Sequence, residues 1–387
     1  MTNLERLTKS LKWKPADRIL TWDFMDNEAI LERYGGYNRS KLYSFEEIVE
    51  LNARTFKNIG LNMTRFAYNP AEHWMGSKIV NWIRFFGVNP DNWEVSQKGG
   101  TAWISRRPFS DLKGLEKNMP SLPDYDEVKV WFEPFIKYVK EVFDDYDLVW
   151  VGGVEGPVCD AYTYTDMELF STALYDAPEL ISHLMDCTGT FSAHIARVYA
   201  ENASSPLLFM GEDICGGTGL IFNPDFLRRE ALPRWHWIMD PIKKHGYTFL
   251  FHTDGRYGEA LKLILEGLGA DGLHPIERNG CNDIFEIRRN YPDKLLFGNV
   301  CCAVTLPYGN IYDVEDETLE LIEKLGPSGG IFIGSSSEVH DLVPPENAEK
   351  MYRTVLEYGS FPIDIDRIQK HRKAINDKLK VRKNNTV

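Results

Sequence analysis

Short apolar runs alternate along this chain with longer stretches whose apolar residues return every three or four positions. The first pattern suits a strand buried on both faces, the second an amphipathic helix. The short runs fall at 18–24, 61–68, 148–151, 207–210, 247–251, 270–273, 294–298 and 331–334. Helical periodicity fills 127–143, 178–199, 224–244 and 315–325, and Pro344-Pro345-Glu346 opens a last helix that runs to Tyr358. Local signals sharpen the boundaries. Ser44 with Glu47 three residues on is a capping box, and Gly60 stops the helix it opens. Asn223 is a good N-cap before Pro224.

Strand then helix, repeated about eight times, predicts an α/β fold with a parallel sheet. Length and repeat number favour a closed (β/α)8 TIM barrel over an open sheet. No G-x-G-x-x-G follows the first strand and no G-x-x-x-x-G-K-[ST] occurs, so nucleotide-binding folds lose their usual support. We read residues 1–387 as a single barrel domain. Residues 69–125 break the rhythm and crowd Trp74, Trp82, Phe85, Phe86, Trp93 and Trp103 together. They read as an insertion, with a hairpin near 93–104 and a turn at Gly99-Gly100, lying as a lid over the barrel mouth.

In such barrels the C-terminal ends of the strands carry the active site. Here those ends supply Asp23, Glu155, Glu212, Asp213, His252, Asp254, His274, Glu338 and His340. The stretch His252-Thr253-Asp254-Gly255 stands out. Residues two apart in an extended segment point to one side, so imidazole and carboxylate face one point. They read as two ligands of a cation, as an acid–base pair, or as a plain Asp-Gly turn beside a core histidine. A His/Asp/Glu set suits a borderline divalent ion such as Zn2+.

Composition narrows the classes. The chain has 387 residues, 43% hydrophobic and 26% charged, with net charge −13. An acidic chain without a sustained basic run argues against nucleic acid and anionic membranes as partners. The start lacks an apolar signal region and no apolar run nears the ~20 residues of a membrane span, so a cytoplasmic protein is expected. Six scattered cysteines without a C-x-x-C pair read as reduced thiols. Aromatic residues reach 13%, and Trp22, Phe24, Trp74, Tyr162 and Tyr164 stand near the expected mouth.

Several motifs in order resemble the uroporphyrinogen decarboxylase superfamily. They are Glu155-Gly156-Pro157, the run Leu174 to Leu180, Gly211-Glu212-Asp213-Ile214-Cys215, and Asn223-Pro224-Asp225-Phe226. Further on come His252-Thr253-Asp254-Gly255, Gly269-Ala270-Asp271-Gly272 and Val343-Pro344-Pro345-Glu346-Asn347. The resemblance implies a (β/α)8 barrel with its site at the strand ends. The arginine-rich N-terminal motif of the true decarboxylases is missing. The chain is more similar to the corrinoid-dependent methyltransferase branch, whose members bind Zn2+ through a His-x-Cys and a later Cys. Here His252 matches, Asp254 stands where the Cys would be, and the later Cys falls near Ser337. The resemblance thus implies a metal held by Glu212, His252, Asp254 and His340. Asp213, Glu155 or Asp254 does the catalytic work, and Trp22, Asp23, Tyr164 and Glu338 bind substrate. The expected reaction moves a methyl group from a methoxylated aromatic to a corrinoid protein, with a homodimer compatible with the family. The alternative is a metal-free decarboxylase, which needs a cationic clamp from Arg65, Arg106, Arg107 or Arg256.

Overall fold

The computed structural model describes residues 1–68, 72–98, 101–203 and 205–384. The expected turn at Gly99-Gly100 and the side chain of Trp74 lie outside the described residues. The chain forms two compact units. One comprises Met1–Tyr68, Val142–Trp150 and Gly272–Val387, the other Asn69–Glu141 and Val151–Asp271. Parallel strands alternating with helices through both units make the fold a (β/α)8 barrel, as the apolar pattern predicts. Among the described residues no helix is long and apolar enough to cross a membrane.

In the first unit, Trp22–Asp23, Met63–Thr64 and Val149–Trp150 lie parallel, and so do Gly272–His274, Leu295–Phe297 and Ile331–Phe332. Thr21 bridges to Ile333, so the last strand pairs with the first. The Trp22 amide donates to the Ile333 carbonyl at 3.0 Å, and the Ile333 amide to Leu20 at 3.1 Å. This is the pairing that removes sheet edges in a barrel. Asp23 ties the same seam. Its carboxylate accepts from the Ser335 amide at 2.8 Å, the Ser335 hydroxyl at 2.5 Å and the Tyr352 hydroxyl at 2.9 Å. Gly334 is required there, because a Cβ would lie 1.6 Å from the Trp22 carbonyl oxygen. The Ser44 capping box forms as read, opening Phe45–Ile59, with Gly60 in the left-handed conformation after it.

In the second unit, Gly152–Glu155, Leu207–Gly211 and Thr248–His252 pair in parallel. The apolar run read from sequence ends at Val151 and leads into Gly152-Gly153. Both glycines lie in the strand Gly152–Glu155. A Cβ on Gly152 would fall 2.2 Å from the Tyr199 ring, so this glycine exists to admit a helix packed onto the strand. Tyr199 belongs to Pro178–Asn202, which packs beside Leu232–Lys244.

The irregular segment resolves into Glu72–Phe86 and an antiparallel hairpin, Glu94–Lys98 with Thr101–Arg106. Its rings pack on the helix Pro157–Thr165, where Tyr164 meets Trp82, Trp93 and Phe109 at 5.2–5.4 Å. Arg107 donates to the Thr163 and Tyr164 carbonyls at 2.7 and 2.9 Å.

Candidate functional site

The strand Thr248–His252 runs in register with Leu207–Gly211, His252 opposite Gly211. Both chains then leave the sheet side by side. The Glu212 amide donates to the His252 carbonyl at 2.9 Å. The Thr253 hydroxyl accepts from the Ile214 and Cys215 amides at 3.1 and 3.2 Å. The Asp254 amide donates to Asp213 Oδ1 at 3.1 Å. Gly255 sits at φ +83°, and a Cβ there would stand 2.7 Å from the Gly216 carbonyl oxygen. Only glycine lets the two loops run this close.

These ties bring three side chains to one point. His252 Nε2 lies 3.6 Å from Asp213 Oδ1 and 3.9 Å from Asp254 Oδ1. One ligand atom from each of the three falls within 4.8 Å of the others, the one such group among the described residues. The His252 side chain is 9% exposed and its ring leans on Phe209 at 4.9 Å, while the Asp213 and Asp254 side chains stay 41% and 47% exposed. One imidazole nitrogen and two nearby carboxylates are a donor set that suits a divalent cation.

Glu212, read as a ligand with them, has other work. It is fully buried. Its carboxylate accepts from the Val158 and Cys159 amides at 3.1 and 2.9 Å and from the Trp235 indole at 2.7 Å. It therefore caps the helix Pro157–Thr165, whose own N-cap, Gly156, has no side chain to do so. Burial pushes its pKa up to about 8 against those three donors. His340, in the first unit, is also spent: Nε2 donates to the Cys302 carbonyl at 2.9 Å, and Nδ1 accepts from the Leu342 amide at 3.3 Å. Neither ring nitrogen keeps a lone pair for a metal in this tautomer.

Of the expected substrate-binding residues, Trp22, Asp23 and Tyr164 are fully buried. Asp23 is held by its seam donors, and burial pushes its carboxyl up to about 7. Tyr164 donates to the Asn118 carbonyl at 2.5 Å inside the ring cluster. Glu338 is half-buried in the first unit, where its charge helps, after burial, to push Asp26 up to about 7.

Glu155 has a partner that sequence reading did not single out. Lys78, 8% exposed, lies 2.8 Å from Asp160 Oδ1 and 3.8 Å from Glu155 Oε2. Burial works to lower its pKa, and the two carboxylates more than offset this, so it rises. The Cys159 thiol is pushed well up by burial, with Lys78 opposing and Asp213, Glu155 and Glu212 adding to the rise. All of these charges thus share one neighbourhood. Tyr162 joins it, donating to the Asp213 carbonyl at 3.3 Å. No sequence signal marks Lys78 or Cys159, since neither stands at a strand end. A lysine on the apolar face of Glu72–Phe86 is the only clue.

The family model described as uroporphyrinogen decarboxylase (URO-D) matches residues 95–358. Among solved structures, a methyltransferase from Methanosarcina mazei has a TM-score of 0.71 at 18% identity, covering 92% of this chain and 99% of that one. A protein described as a vitamin-B12 independent methionine synthase from Listeria monocytogenes aligns with a TM-score of 0.49 at 13% identity, over 89% and 96%. No curated protein matches the sequence. The methyltransferase likeness agrees with the barrel, and the family match spans more than half of the sequence: the chain belongs to the uroporphyrinogen decarboxylase (URO-D) family.

Proposed function

We propose that this protein is a methyltransferase that takes a methyl group from a small methoxylated aromatic and passes it to a corrinoid protein. The observation that carries this reading is the Asp213–His252–Asp254 cluster at adjoining strand ends of a URO-D-family barrel. The likeness to the Methanosarcina methyltransferase supports it. One imidazole nitrogen and two carboxylate oxygens suit Zn2+ or another borderline divalent ion. The carboxylates around Cys159 add to the case, because a divalent cation offsets negative charge that Lys78 alone leaves in excess.

Bound there, the ion would supply Lewis acidity toward the departing oxygen. The chain's own residues do the rest. Phe209 holds the His252 ring, and Thr253 fixes the loop that carries Asp213 against the one that carries Asp254. Glu155, held by Lys78, binds or protonates the leaving oxygen. The 69–125 segment, anchored by Arg107, serves as the lid. Glu212 and His340 leave the ligand set, because their polar atoms are already engaged.

The test pairs metal analysis of the purified chain with methyl transfer from methoxyaryl donors to cob(I)alamin. One equivalent of divalent metal, lost in His252→Ala together with turnover, is the expected result. Turnover that survives both chelation and His252→Ala removes the metal from the reading.

A further inference from the structure

The second unit holds a hollow of about 640 Å3 that none of Asp213, His252 and Asp254 lines. Small-molecule sites typically span about 300–1,000 Å3. Three stretches converge on the hollow. Met167 and Leu174 come from the helix Met167–Asp176, and Ile181 and Met185 from Pro178–Asn202. Phe222 and Phe226 come from the stretch around the Asn223 cap. We propose that this hollow binds a small molecule with an apolar body and a cationic group, of the class of an aryl-alkyl amine.

Its walls are set before any guest arrives. Ile181 and Met185 are fully buried and form the floor. Phe222 is buried too, held against Phe170 at 5.7 Å, Phe226 at 5.9 Å and Tyr162 at 6.2 Å. Fixed walls spare a guest the cost of ordering them. At the rim, Met167 and Ile221 stay 38% and 49% exposed. Apolar surface left in water beside a hollow is surface that an apolar guest covers. The two thioethers adapt to varied shapes, and the faces of the two Phe rings attract a cation.

Charge completes the ligand class. Asp225 is answered by Arg228 at 3.0 Å, and Glu230 by Arg229 at 2.9 Å and Arg234 at 3.2 Å. Arg234 is answered in turn by Asp186 at 2.6 Å. Among the described charged residues of the lining, Glu179 alone has no ion pair, and its side chain is exposed. An acid in the first turn of a helix is favourable in itself, so its position needs no ligand. Its lack of a counter-ion beside apolar walls is what selects one: a cationic guest is attracted and a carboxylate guest repelled.

This inference does not rest on the methyl-transfer reading, and its test needs neither metal nor corrinoid. Calorimetry on the chelated full-length chain compares 2-phenylethylammonium, 2-phenylethanol and 3-phenylpropanoate. The cation should bind about tenfold more tightly than the alcohol, and the anion most weakly. Glu179→Gln should weaken the cation about fivefold and leave the alcohol unchanged. Ser171→Trp, which fills the hollow from an exposed helix position, should remove both. Circular dichroism of each variant separates lost binding from lost fold. Equal binding of the three probes, or none, overturns the proposal. So does cation binding that survives Glu179→Gln and Ser171→Trp, or that is lost instead in Asp254→Asn, which would place the amine at the cluster around His252.

Discussion

Glu212 and Asp213 are neighbours at the end of the same strand, yet they live in opposite worlds. Glu212 is fully buried, with three N–H groups aimed at its carboxylate. Asp213 is 41% exposed and faces His252. Asp23 resembles Glu212: buried, and met by Ser335 and Tyr352 at the seam between first and last strands. Asp254 resembles Asp213. Strand-end carboxylates in this barrel therefore divide by where their acceptor capacity goes. Those consumed by the protein's own donors hold strands and helices together. The other two, Asp213 and Asp254, stand beside an imidazole and remain partly exposed to solvent.

The sharpest way to break this division is to remove the imidazole. His252→Ala should abolish divalent-metal binding, a loss of at least about a hundredfold read by calorimetry, since even outer partners of ligands cost 10–100-fold. Its urea midpoint should shift little. Glu212→Ala should do the reverse. It leaves three buried donors without an acceptor and uncaps a helix, costing roughly 3 kcal/mol in urea unfolding, with metal affinity preserved within a few fold. Equal metal loss in both variants would erase the distinction.

Acidity offers a third, smaller probe. Burial raises Asp23 to about 7 and Glu212 to about 8. The unfolded chain releases these protons near the ordinary carboxyl values, at about 4. Below that point both states are protonated and the contribution to stability is whole. As pH climbs toward 7 and then 8, the folded state holds protons that the unfolded state has lost, and stability declines by at most about 1.4 kcal/mol per pH unit for each group. Urea midpoints measured from pH 4 to 9 should fall across this window, and a rising curve would contradict the assignment. The mildest change is Asp254→Cys. A thiolate is also a ligand, so metal should bind within about tenfold of the parent, with preference moved toward softer ions. Complete loss would mean that Asp254 serves the loop rather than a metal.

Much of this was readable before any coordinates. Apolar runs and helical periodicity are local quantities, and they point to the strands, the Ser44 cap and the barrel. The pairing of His252 with Asp254 follows from the two-residue repeat of extended chain. What stayed hidden was assigned by tertiary partners. The run read from sequence stops at Val151, and nothing in it shows that Gly152 is there to admit the Tyr199 ring. The helix Pro157–Thr165 has no cap of its own because the cap arrives from residue 212. Asp213 joins His252 through the register of two strands about forty positions apart in sequence, which spacing cannot reveal. Lys78 comes from a segment whose periodicity is masked by its aromatic crowding.

Gly156 carries a consequence for how this sequence can change. A Cβ at that position would sit 2.0 Å from Glu212 Oε2, in the space the capping carboxylate fills. The two residues are coupled, so that exchanging either half first carries a cost. Alanine at 156 collides with the carboxylate, and a shorter residue at 212 abandons the helix. A serine or aspartate at 156, which would cap the helix locally, becomes acceptable only after Glu212 has gone. In a library randomised at both positions, the most stable survivors should fall into two groups, glycine with glutamate and a capping residue with a small one, joined only through the less stable change at 212 first.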